Sequence, residues 1–152
     1  MRVAALYDVH GNVHALEAVL ADVGDVDVVL FGGDIASGPF PRETVELVRA
    51  LPNAVPIRGN ADELSTPGMD EVASLGRRWV IEQLSADDAE WLEELPFSWS
   101  ADDTLYVHAN PVDVLRFVAP GTRDARVASL LEGVINSGTA AAPSPTIRPA
   151  AR

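Results

Sequence analysis

Five side chains able to grip a hard cation stand where apolar, β-prone runs end. Residues 3–7 lead into Asp8-Val9-His10-Gly11-Asn12, and residues 26–31 into Gly32-Gly33-Asp34. Residues 54–57 lead into Arg58-Gly59-Asn60-Ala61-Asp62, and residues 104–107 into His108-Ala109-Asn110. In α/β sheets, sites gather beyond the carboxyl ends of strands. Carboxylate, carboxamide oxygen and imidazole are all competent ligands for a divalent ion. Asp8 and His10 are two residues apart and share a side if the strand persists through them. Taken singly, each signal is weak: Gly-Gly-Asp and Gly-Asn are ordinary turn sequences, and a lone His at a strand end is more often structural. The set of four in order describes a metal-centred active site better than it describes a packed core.

Composition narrows the classes. The chain has 152 residues, 47% of them apolar, enough for one globular domain with a substantial core. It has no Cys, which excludes disulfides, thiolate metal sites and Cys nucleophiles. All eleven basic residues are Arg, against 23 acids, and the net charge of −12 repels long nucleic acid. A small phosphate ester is not excluded, because bound cations reverse the local potential. No Lys means no P-loop, and no stretch reads as a signal peptide or a membrane span. The expectation is a cytoplasmic protein with a small phosphate-ester substrate, no long nucleic acid and no membrane partner.

The elements that must position these residues follow from hydrophobic period. Strands are predicted over 2–7, 26–31 and 54–57. A helix over 13–23 is capped by Asn12, with Val13, Leu16, Val19, Leu20 and Val23 inward. A second helix over 42–51 stops before Pro52. This β-α-β-α-β order implies a parallel sheet. Residues 64–76 read as loop or short helix, followed by a helix over 77–84. Ser85 starts another helix with Asp88 three residues on and Trp91, Leu92 and Leu95 inward. Residues 97–99 and 105–107 can pair as a hairpin across residues 101–103. A last helix spans 123–133, with Val127, Leu130 and Leu131 inward. From residue 137 the chain loses both acids and period, so one domain over 1–136 and a disordered tail over 137–152 are expected.

With these residues in view, the chain resembles the calcineurin-like metallophosphoesterases, most closely their small bacterial phosphodiesterase-like branch. Asp8-Val9-His10-Gly11-Asn12 is similar to the family's first motif, Gly33-Asp34 to its second, Gly59-Asn60 to its third and His108 to its fourth. The resemblance implies an α/β fold, a sheet sandwich flanked by helices. It also implies two divalent ions: Asp8, His10 and Asp34 hold one, and Asp34, Asn60 and His108 the other, with Asp34 bridging. Such a pair activates a metal-bound hydroxide and stabilises in-line displacement at phosphorus. Mixed oxygen and imidazole ligands suit Mn, Fe or Zn, with Mn the expected ion. The catalytic set would be Asp34, Asn60 and Asp62, and Asn12 and Asn60 would face the substrate.

Three departures stand out. The family's fifth motif, Gly-His-x-His, is absent, for the only histidines are His10, His14 and His108. The fold is therefore expected to be shortened at the C-terminus, with an uncovered sheet edge or apolar face that favours a homo-oligomer. Ala61 stands where many relatives carry a catalytic His, which favours good leaving groups unless Asp62 or water supplies the proton. Ala109-Asn110 replaces the usual Gly-Ser. His14 reads as a surface residue, the acids at 87–94 as a solvated face, and the three Trp as packing. The resulting expectation is a metal-dependent phosphoesterase acting on a phosphodiester or an activated phosphomonoester. The rival is a degenerate, non-catalytic relative that binds one metal weakly or none, and a generic nucleotide-binding domain ranks third.

Overall fold

Strand β1 (Val3–Leu6), strand β2 (Val28–Phe31) and strand β3 (Ala54–Pro56) form a parallel sheet in that spatial order. The computed structural model describes residues 1–65 and 71–136. Val3 pairs with Val28, and Val29 with Ala54. Parallel neighbours need long return connections, supplied by helix α1 (Val13–Val23) and helix α2 (Pro41–Ala50). Asn12 caps α1, its side-chain oxygen accepting the Ala15 N–H at 3.1 Å. Pro41 opens α2, where its missing N–H costs nothing.

The period of two along β2 feeds both faces of the sheet. Val29 and Phe31 join Leu16, Val45, Val48 and Leu92 in the helix-side core. Leu30 points the other way, with Val55 and Ile57, against Trp99 and Tyr106. Those two rings stack at 5.2 Å on a hairpin of strand β4 (Ser98–Ala101) and strand β5 (Thr104–Val107). Helices thus cover one face and the hairpin the other. This is the α/β layering expected from the sequence, with all four chemistry-bearing strand ends present.

Helix α3 (Glu71–Gln83) begins earlier than the sequence suggests. Gly76 lowers local propensity by about 1 kcal/mol, and burial of Val80 offsets it. Helix α4 (Ala86–Glu93) starts as predicted, with the Ser85 hydroxyl accepting the Asp88 N–H. Helix α5 (Asp124–Asn136) runs three residues beyond its predicted end. Val19 and Leu131, expected inward, are exposed, while Leu16 and Leu130 are buried. Trp79 is likewise exposed rather than packed. Trp91 lies beneath the Arg49 guanidinium, 5.5 Å from its ring centre. No helix among the described residues is long and apolar enough to cross a membrane. The tail over 137–152 lies outside the described residues.

Candidate metal centre

The ends of β1, β2, β3 and β5 converge on one spot. Asp8, Asp34 and His108 each present a ligand atom there, and these atoms lie within 4.8 Å of one another. His10 Nε2 is 3.6 Å from Asp8 Oδ1 and 3.6 Å from Asp34 Oδ2. On the opposite side, His108 Nε2 is 3.6 Å from Asp34 Oδ1 and 3.2 Å from Asn60 Oδ1. Asp34 therefore turns one oxygen toward the Asp8–His10 pair and the other toward Asn60–His108. The Asn60–His108 half is sunk, with Asp34 and His108 at 4% and 9% exposure. The Asp8–His10 half is open, its side chains about half exposed.

Both imidazoles are oriented by backbone carbonyls. His10 Nδ1 contacts the Ser37 carbonyl at 3.1 Å, and His108 Nδ1 the Gly32 carbonyl at 2.8 Å. A carbonyl only accepts, so each Nδ1 donates its hydrogen there and each Nε2 is turned toward the centre. Nitrogen and oxygen atoms of His108, Asn60 and Asp34 thus converge, with His108 Nε2 within 3.6 Å of both partners. Two carboxylates, Asp8 and Asp34, add negative charge at the same place. Such a donor set is satisfied by a cation, and the residues present fit a divalent metal.

The sequence logic of strand persistence does not hold at the first motif. β1 ends at Leu6, and Asp8 and His10 take left-handed backbone, with φ of 55° and 47°. Asp34 does the same, at 57°. The two loops brace each other. Asp8 donates its N–H to the Gly33 carbonyl, His10 to Asp34 and Gly11 to Ile35, at 3.2, 2.8 and 2.8 Å. Gly59 is required by close approach: a Cβ there would lie 2.1 Å from Asp34 Oδ1 and 2.4 Å from its amide nitrogen. Gly33 combines φ of 98° with a position where a Cβ would lie 2.6 Å from backbone of Gly59.

Asp62 is not where a proton donor would be. It is fully buried, and its carboxylate accepts the N–H groups of Asp34, Ile35 and Gly59 at 2.8, 2.9 and 2.9 Å. Burial pushes its carboxyl above the ordinary range, opposed by these three donations. The sequence places Asp62 in the catalytic set; in the structure it lies beneath the centre, with both carboxyl oxygens bonded to backbone N–H groups. Asn12 is exposed, and its carboxamide oxygen is committed to the α1 cap. His14 sits apart, ion-paired with Glu17 at 3.5 Å and edge-on to Phe40.

Sequence reasoning missed what organises the rim. Asn110 is 1% exposed and folds the following loop around itself, accepting from the N–H groups of Val112 and Asp113 and donating to the Arg116 carbonyl. Asp113 accepts the Leu115 and Arg116 N–H groups, and these hold its carboxyl well below the usual range. The loop sets Phe117 edge-on to His108 at 6.5 Å. The signal was an Asn-Pro-x-Asp turn.

The family model for calcineurin-like phosphoesterases matches residues 1–133, and the chain belongs to that family. Its members are hydrolases that bind divalent metals, and the Asp8, Asp34 and His108 group is placed to do so. Among solved structures, a metallophosphoesterase from Sphaerobacter thermophilus is 40% identical, with a TM-score of 0.67 over 86% of this chain and 54% of that one. A provisionally named diadenosine tetraphosphatase is 25% identical, with a TM-score of 0.58 over 75% of this chain and 53% of that one. Uncharacterised protein MJ0912 of Methanocaldococcus jannaschii is 27% identical over 121 residues, 72% of this chain and 49% of its own. The chain spans about half the length of the relatives it matches.

Proposed function

We propose that this chain carries a two-cation phosphoesterase centre. Asp8, His10 and Asp34 would hold one ion and Asp34, Asn60 and His108 the other. The observation that carries this reading is the division of Asp34: Oδ2 is 3.6 Å from His10 Nε2, and Oδ1 is 3.6 Å from His108 Nε2. Two Mn, Fe or Zn ions, Mn foremost, would supply the positive charge that polarises a phosphoryl oxygen and favours in-line displacement. The chain's own contribution is positional. The Ser37 and Gly32 carbonyls fix both rings, and the Asn60 carboxamide reaches the buried half.

The substrate class follows from what the chain lacks at the leaving-group side. Ala61 has no acid, and Asp62 is sealed by three N–H groups. The favoured substrates are therefore a phosphodiester or an activated phosphomonoester, whose leaving group departs without a strong proton donor. The test is Mn²⁺-dependent hydrolysis of bis(p-nitrophenyl) phosphate by the full chain, with Asp34→Asn beside it. Loss of a bridging ligand should lower turnover by more than the roughly 100-fold that outer contacts command. Turnover that survives Asp34→Asn would sink the assignment. Absence of turnover in the parent chain would favour the non-catalytic reading.

A further inference from the structure

We propose that Asp62 is a positioning residue that joins the two halves of the centre, setting the Asn60 side against Asp34. The proposal rests on the two-cation reading and deepens it. Asp62 Oδ2 accepts from both Asp34 and Gly59, and Oδ1 from Ile35. One carboxylate thus ties the loop after β2 to the loop after β3, and each loop delivers ligands: Asp34 from the first, Asn60 from the second.

The two halves are held differently. The loop of Asp8 and His10 is bound to the loop of Asp34 by three N–H to carbonyl bonds that do not involve Asp62. The loop of Asn60 meets Asp34 through the Asp62 carboxylate and the Ala61 N–H donated to Asp34 Oδ1 at 2.8 Å. His108 reaches the same place from β5, anchored on the Gly32 carbonyl. Removing an acceptor oxygen of Asp62 leaves the first set braced and releases the second. Asp62→Asn makes the minimal change, because its carboxamide places an N–H₂ against N–H groups that need an acceptor.

A buried residue with a purely general role would weaken both ion sites together as the fold loosened. The junction role makes a different prediction, a split between them. Titration of the full chain with Mn²⁺ by calorimetry should show Asp62→Asn keeping one site near parental affinity and weakening the other by about 10- to 100-fold. The thermal midpoint, followed by circular dichroism in the absence of metal, shows whether the fold survives. Asp62→Glu is the second variant: it restores both acceptor oxygens at the wrong reach, and it should recover less than half of the lost affinity.

Amide hydrogen exchange of the metal-free chain supplies a readout independent of any ion. Exchange at Asp34, Ile35 and Gly59 should quicken in Asp62→Asn, while that at His10 and Gly11 stays protected. Equal weakening of both ion sites, or unchanged exchange at Asp34 and Gly59, would overturn the proposal. If the parent chain takes up fewer than two ions, the two-cation reading fails and exchange alone decides whether Asp62 joins the loops.

Discussion

Asp8, His10 and Asp34 hold φ of 55°, 47° and 57°, and only Asp102 among the other described non-glycine residues is left-handed. Such backbone costs about 1–2 kcal/mol per residue, and here it is offset by the bonds between the β1 and β2 loops. Strain collected at the convergent ligands fits a site held ready rather than formed on binding. Gly59→Ala tests the crowding. Its Cβ would press on backbone of Asp34, which cannot swing away as a side chain could. A loss of about 1–3 kcal/mol is expected, seen as a lowered urea midpoint, together with loss of Mn²⁺ binding. The ligand types and their order were legible in the sequence because hard donors followed apolar runs. The role of Asp62 was not, since a carboxylate two residues past Asn60 reads equally as acid catalyst or clamp. The three backbone donors around it are visible only in the fold.

At the scale of elements, strand and helix identities were readable from period, and errors fell where packing overrode it. α1 matched its predicted span because Asn12 and the Val13, Leu16, Leu20 stripe agree. α3 did not, because Gly76 obscured a helix that Val80 anchors by burial. The solvated acidic face predicted on α4 is mostly that, with one exception. Asp88 bonds the Ser85 hydroxyl at 2.6 Å and pairs with Arg49 of α2. The Ser85 hydroxyl first, then Arg49, lowers its pKa below the ordinary carboxylate value of about 3.9. A carboxyl whose folded pKa is depressed adds stability above its unfolded pKa and loses it as pH falls through the folded one. Asp88→Asn should therefore lower the thermal midpoint at pH 7. The gap from the parent should close progressively below about pH 4, and a constant gap down to pH 2 would mean that the charge contributes nothing.

For the whole molecule, the hairpin matters as much as the sheet. The Trp99 and Tyr106 rings seat it on Leu30, Val55 and Ile57, and that contact brings His108 to Asp34 across 74 positions of sequence. No local pattern encodes that meeting; only the strand-end position of His108 hinted at it. A chain of net charge −12 also brings Asp8 and Asp34 together at this junction, and it has no Lys. Cations are the natural complement. The most direct measurement is the number of Mn²⁺ ions retained per full chain after reconstitution and removal of free ion, determined by elemental analysis. Two ions in the parent and fewer in Asp34→Asn are predicted. One ion or none in the parent, or two in both proteins, would contradict a centre bridged by Asp34.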